Sequence, residues 1–227
     1  MAFTPELKLL VVAFDEAAIW LFSPRELADR EVLQEVVKQN GTALRFVHPT
    51  RRDRALVLKA VKQNGLALEF VSFQDEAIVL EAVKQNGLAL CFAEDYVELF
   101  PDVVLEAVKQ NGLALEFAWL GWQRDRETVL QAVMQNGLAL EFASNDLQRD
   151  REVALQAVKQ NGLALQFLWV YDREIVLEAV KQNGQALAFA SREFRGDRQV
   201  VLQAVRQNRD ALEFALRELQ ADAFASP

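Results

Sequence analysis

Apolar positions along this chain come in clusters of one recurring design. Each is a run rich in valine, leucine and alanine, closed by Lys-Gln-Asn-Gly or a near variant and followed by Ala-Leu-x-Phe. The asparagine of that phrase falls at Asn40, Asn64, Asn86, Asn111, Asn136, Asn161, Asn183 and Asn208, giving spacings of 24, 22, 25, 25, 25, 22 and 25 residues. Self-similarity at such a period is the signature of a solenoid or array. Within each run, Leu33, Val57, Val79, Val104, Val129, Val176 and Val201 share one column, with Ala154 as its small member. A second column is valine throughout, from Val37 to Val205, and polar residues occupy a narrow stripe. An apolar arc this broad belongs to an α-helix flanked by neighbours on both sides.

The ends of that helix are marked. Asp29, Asp53, Asp75, Asp125, Asp150, Asp172 and Asp197 lie eleven residues before their asparagines. An aspartate there accepts from the free N–H groups of the first turn. The remaining copy has Phe100 followed by Pro101, a residue favoured at the first helical position. The spacing predicts a capped helix of about three turns ending in a glycine in the left-handed C′ conformation. For Ala-Leu-x-Phe, helix-forming residues predict a second, shorter helix, against a rival reading as a short strand from its alternation. The alanine is then the point of close approach between helices and the phenylalanine column the spine of the core. The asparagine is structural on either of two readings: last residue of its helix, or a side-chain amide bonding the next repeat, the second being favoured.

One such unit buries too little to offset its ordering entropy, so copies must stack and the ends must be capped. The expectation is an all-α fold, a right-handed α-solenoid of about nine short helix-turn-helix units. It forms one domain over residues 1–227, with a degenerate capping unit at 4–28, seven regular units over 29–196 and a C-terminal unit and cap over 197–227. There Arg209 replaces glycine, and Arg209 to Leu219 reads as one longer polar-sided helix.

The phrase Asp-Arg-Glu-Val-Val-Leu-x-Ala-Val-Lys-Gln-Asn-Gly-x-Ala-Leu-x-Phe-Ala resembles the repeat family known as domain of unknown function 4116. The resemblance spans nearly all of residues 29–220, and the whole unit recurs rather than a short motif. It implies tandem helical repeats with no assigned activity and no catalytic residues to carry over. Departures are Gln34 for leucine, Phe100 for aspartate, Met134 for lysine and Arg209 for glycine.

Composition narrows the function classes. Lys and Arg number 25 against 33 Asp and Glu, a net charge of −8, which disfavours general nucleic-acid binding. A 52% apolar and 26% charged chain is a folded one. Cys91 is the lone cysteine and His48 the lone histidine, 43 residues apart in different repeats, so neither a thiol–imidazole pair nor a metal cluster is expected. The glycines punctuate helices rather than form a phosphate loop, and the carboxylates are spread at repeat spacing. No catalysis, cofactor or metal is expected. Nothing reads as a targeting segment or a membrane span, so a soluble intracellular protein, cytoplasmic or organellar, is expected.

Two surfaces remain as candidates. Lys38, Lys62, Lys84, Lys109, Lys159, Lys181 and Arg206 form a column, interrupted by Met134 and bordered by glutamines, that could track a polyanion. The competing reading is a solvated face, since Glu35, Glu81, Glu106 and Glu178 precede their lysines by three residues. The second is an aromatic edge. Tyr96 and Phe100, then Trp119, Leu120 and Trp122, then Trp169, Val170 and Tyr171 fall in the connectors of nearby repeats, beside Glu94, Asp95 and Glu98. Exposed aromatics of this kind mark protein contacts, and the alternative is that they fill gaps left by the irregular spacing. The expected role is a non-catalytic scaffold or accessory subunit whose partner is another protein or multi-subunit complex.

Overall fold

The computed structural model describes Phe22 and residues 29–93, 100–169 and 172–220. Among these, every regular element is helical. Eight α-helices of ten residues each are present: α1 Arg30–Gln39, α2 Arg54–Gln63, α3 Glu76–Gln85, α4 Pro101–Gln110, α5 Arg126–Gln135, α6 Arg151–Gln160, α7 Arg173–Gln182 and α8 Arg198–Gln207. Each is followed by a six-residue 3-10 helix, the first Gly41–Phe46 and the last Arg209–Phe214. The chain divides into two compact units between Gln110 and Asn111. In the first, α1 to α4 pack in sequence and the intervening 3-10 helices pack on one another. In the second, α5 to α8 and their 3-10 helices do the same. The fold is an all-α repeat solenoid with an α layer and a 3-10 layer. The expected capping unit at 4–28 lies outside the described residues except for Phe22, which is buried.

All seven predicted aspartate caps form: Asp53 Oδ1 accepts from Leu56 N–H at 2.9 Å, and Asp150 Oδ1 from Glu152 and Val153 N–H at 2.9 and 3.1 Å. Where Phe100 stands, only its carbonyl is available, accepting from Val103 N–H at 3.1 Å.

The corner between the two helices differs from the sequence expectation. No described residue, glycine included, has a positive φ. The chain turns instead at the asparagine, which is extended at φ −144° to −150° and ψ 109° to 120°. This residue serves both helices. Asn136 N–H closes the last α turn onto Ala132 O at 2.8 Å, and its side-chain oxygen accepts from Leu138 N–H at 3.0 Å. The glycine is the first residue of the 3-10 helix, and its reason is proximity. A Cβ at Gly41, Gly65, Gly112, Gly137, Gly162 or Gly184 would lie under 3.0 Å from the carbonyl oxygen of an alanine in the next α-helix.

The second element is a 3-10 helix, not the α-helix expected. Ala139 N–H reaches Asn136 O at 2.9 Å, a three-residue step. Six residues between a corner and a connector are too few for α-helix propensity to prevail. The tighter helix sorts its side chains onto three faces. Glycine and leucine, at its first and fourth places, are buried; Leu44, Leu68, Leu115, Leu140 and Leu187 are 0% exposed. The phenylalanine column is nonetheless not the core spine: at the last place of the helix, one turn beyond the fully buried alanine, Phe46, Phe117 and Phe189 are 38%, 42% and 41% exposed and the others half-buried. The core is built from that leucine, the 3-10 alanine and the valines and alanines of the α-helices.

Repeat-to-repeat hydrogen bonds come from glutamine rather than asparagine. Gln160 Oε1 accepts from Gly137 N–H at 2.5 Å while its Nε2 donates to Gln135 O at 3.1 Å. Gln63, Gln85, Gln110, Gln135, Gln182 and Gln207 take the glycine N–H of the preceding repeat in the same way. A second ladder joins helix starts: Arg30–Asp53 and Arg54–Asp75 at 2.7 Å, Arg126–Asp150 at 3.1 Å, and Arg151–Asp172 and Arg173–Asp197 at 2.9 Å. The rung between α3 and α4 is missing, because Glu76 stands in the arginine place and Phe100 in the aspartate place. At the C-terminal end the expected single helix is broken: Ala215 is extended after Arg209–Phe214, and a separate helical turn covers 217–220.

Candidate functional site

Several connectors that follow a 3-10 helix share one recurrent device. The last carbonyls of a 3-10 helix lack partners, and a long side chain from the connector folds back to satisfy them. Arg52 donates to Val47 O at 2.7 Å and Phe70 O at 2.5 Å, and burial holds its guanidinium below its ordinary pKa. Gln74 reaches Val71 O and Phe92 O; Gln123 reaches Leu115 O and Ala118 O; Gln148 reaches Leu140 O and Glu141 O; Gln220 reaches Leu212 O and Ala215 O. In four of these five the glutamine or arginine stands one or two residues before a capping aspartate, although Arg195, in the same place before Asp197, has its buried Nε unpaired.

In the second compact unit two neighbouring connectors enclose a groove. One is the short helix Leu120–Gln123 and the other the turn Leu147–Arg149. They are pinned together by Ser144 N–H donating to Gln123 O at 2.9 Å. The groove encloses about 420 Å³ and is lined by Leu120, Gln123, Arg124, Ser144, Asn145, Asp146 and Arg149. Trp119 and Leu120 stand beside it at 62% and 61% exposure, while Trp122 is half-buried. Trp169, 62% exposed, leans back from the following connector: its Nε1 donates to Gln148 Oε1 at 2.7 Å, and the Arg149 guanidinium lies 5.3 Å from its ring centre. Gln148 is buried and already tied to two carbonyls, so this chain fixes both Trp169 and Arg149.

The predicted aromatic residues therefore separate. Trp119, Leu120 and Trp169 are exposed, Leu120 lining the groove and Trp169 stacked near Arg149, which also lines it, while Trp122 is half-buried. Phe100 is half-buried at the start of α4 in the first unit. Tyr96 and Tyr171, with Val170, Glu94, Asp95 and Glu98, lie outside the described residues. Phe73, 67% exposed in a connector of the first unit, was not singled out from the sequence, because it stands alone there.

The lysine column is exposed and largely neutralised. Lys38 pairs with Glu35 at 3.1 Å, Lys84 with Glu81 at 3.5 Å and Lys181 with Glu178 at 2.6 Å, as the spacing predicts. Lys62 adds an inter-repeat pair to Glu81 at 3.6 Å. Lys109, Lys159 and Arg206 have no ion pair among the described residues, so the pair that the spacing predicts between Glu106 and Lys109 does not form, and Met134 in the same column is 58% exposed. The Glu35 carboxyl is held below its usual range by the Gln39 amide and then Lys38.

Charges at the helix starts are mutually satisfied. The Arg54 guanidinium holds the Asp75 carboxyl low, as Arg173 does Asp197. For Asp172 the Ile175 N–H contributes most, ahead of Arg151. Burial pushes Asp150 up, but Arg126 and the Val153 N–H together outweigh it and leave the carboxyl low. Cys91 lies on an exposed face of its 3-10 helix, and partial burial of the sulfur followed by the Glu69 charge pushes its thiol up, away from the thiolate. His48 Nδ1 sits 2.9 Å from Thr50 Oγ1, where it caps the turn Pro49–Arg51. No group of three or more His, Cys, Asp or Glu among the described residues is placed to hold a metal ion, and no described helix is long and apolar enough to cross a membrane.

This repeated pairing of a ten-residue α-helix with a six-residue 3-10 helix defines a class of short-repeat α-solenoids. The family model for the domain of unknown function DUF4116 matches residues 29–75, 53–97, 101–148, 125–168 and 172–220, and the chain belongs to that family. None of the curated proteins and none of the solved structures compared with the chain matches it.

Proposed function

We propose that this protein is a non-catalytic scaffold that binds another protein through the connector edge of its second compact unit. The observation that carries this reading is the exposure of Trp119, Leu120 and Trp169 around one groove, on connectors whose backbones are pinned in place. Tryptophan is costly to leave in water and dominates protein-binding hot spots. Pre-ordered connectors also spare a partner the entropy of arranging the surface on binding. The polyanion alternative draws less support, because four lysines of the ridge are already paired with glutamates.

The test is affinity capture from extracts of the source cell with the full chain and with Trp119→Ala combined with Leu120→Ala. A protein retained by the wild type and lost by the double variant, with thermal unfolding unchanged, is the expected result. A hot-spot tryptophan contributes on the order of 2 kcal/mol or more, so retention should weaken about thirtyfold. Equal retention by both proteins refutes the edge as the binding surface.

A further inference from the structure

The groove between Leu120–Gln123 and Leu147–Arg149 has a chemistry that narrows the partner, on the reading of the connector edge proposed above. Arg126, Arg151 and Arg173, on the adjacent helix starts, are committed to the capping aspartates of the following repeats. Arg124 and Arg149, which line the groove, are not: among the described residues neither guanidinium has a carboxylate or a hydrogen-bond acceptor. Arg149 is nonetheless held in place, stacked at 5.3 Å over Trp169, which is itself bonded to the buried Gln148. A guanidinium fixed through its face keeps its N–H edge free, and that edge matches a carboxylate with two parallel hydrogen bonds.

We infer that this groove takes an acidic segment of a partner protein, with a side-chain carboxylate seated between Arg124 and Arg149 and a neighbouring apolar side chain laid on Trp119 and Leu120. Ser144 and Asn145, on the same wall, offer further polar contacts to an extended main chain. Charge balance selects a carboxylate over a phosphate chain. The groove is lined by two arginines and one carboxylate, Asp146, which forms no ion pair with either among the described residues, so a single net positive charge is left to be matched. A nucleic-acid strand brings a charge at every nucleotide, against a protein of net charge −8 whose carboxylates Glu127 and Glu152 begin the adjacent helices. Exposed Leu120, which lines the groove with the arginines, and exposed Trp119, its neighbour in the chain, account for the apolar half of the segment.

The test uses the full chain and three labelled probes in fluorescence anisotropy: a short peptide of Glu, Asp and Leu, the same peptide with Lys replacing each acid, and a single-stranded oligonucleotide. The acidic peptide is expected to bind best. Arg124→Ala with Arg149→Ala is expected to weaken it at least about tenfold, two charge-assisted hydrogen-bonding sites being lost. Arg124→Glu with Arg149→Glu is expected to reverse the preference toward the Lys peptide. Circular dichroism melts confirm that both exposed-site variants fold. Acidic-peptide binding unchanged in the alanine variant, absence of binding in the wild type, or tighter binding of the oligonucleotide overturns the inference. The two proposals fail separately. If Trp119→Ala with Leu120→Ala abolishes capture of a cellular protein while the arginine variants capture it normally, the edge stands and its acidic preference falls. If the tryptophan variant captures normally, the edge itself falls.

Discussion

Replacing Gly137 by alanine tests how the repeats are locked together. The residue has a negative φ, so an L side chain meets no backbone strain there, and on conformational entropy alone alanine would stabilise by about 0.4–1 kcal/mol. The neighbouring repeat decides otherwise. The new Cβ would lie under 3.0 Å from Ala157 O and 3.0 Å from Asn161 N, both main-chain atoms of α6 or its cap, which no side-chain rotation can move. Relief requires α6 to lift from the 3-10 helix Gly137–Phe142. Overpacking of this kind costs about 1–3 kcal/mol. The same displacement stretches the 2.5 Å bond from Gly137 N–H to Gln160, and a buried N–H deprived of its acceptor adds about 1–3 kcal/mol. After the entropic gain, a net loss of about 1–5 kcal/mol is expected in an equilibrium urea titration followed by far-ultraviolet circular dichroism. Arg209 holds the equivalent place in the last described repeat and already carries a side chain, so Arg209→Ala should stay within about 0.5 kcal/mol. A Gly137→Ala protein as stable as wild type would refute the close-approach account. Tolerance of a D-alanine introduced there by semisynthesis would point back to a left-handed corner.

Three further outcomes are expected. Gln160→Leu should cost about 1–3 kcal/mol by leaving Gly137 N–H unpaired, whereas Gln160→Glu, which keeps the acceptor and loses only the bond to Gln135 O, should cost less; urea titration separates them. Leu115→Ala should cost about 2–5 kcal/mol, and Phe117→Ala less than Leu115→Ala despite its larger side chain, because the leucine is 0% and the phenylalanine 42% exposed; the opposite order would restore phenylalanine to the core. The carboxyls of Asp75, Asp150, Asp172 and Asp197 are lowered in the folded protein, so their stabilisation is present above the unfolded value of about 3.9 and disappears as pH falls through the folded values. Melting temperature should therefore drop below about pH 4, and Asp172→Asn should flatten that dependence; an unchanged acid profile would remove the helix-start ladder as its source.

The repeat period, the ten-residue helices and the aspartate caps were all readable from the chain, because each depends on neighbours within a few residues: side-chain periodicity and the unpaired N–H groups of a first turn are local physics. Three of the four local lysine–glutamate pairs were readable for the same reason, the exception being Glu106 and Lys109, which stand at the same spacing without pairing. What stood beyond reach was whatever the adjacent repeat decides. Glycine looked like a left-handed helix end, since nothing in Asn-Gly-Leu-Ala-Leu tells that Ala157 O of the next helix rests against it. Asparagine and glutamine stand side by side with the same amide, yet the extended corner turns Asn136 onto its own chain and leaves Gln160 to span the repeats. Hydrophobicity puts phenylalanine in the core, yet as the last residue of its 3-10 helix it lies at the rim, while the leucine two places earlier is packed between the repeats. For the edge, composition located the tryptophans. Only the packing of one connector on the next showed that Trp169 is anchored on Gln148, and that Arg124 and Arg149 share a groove with their charges unspent.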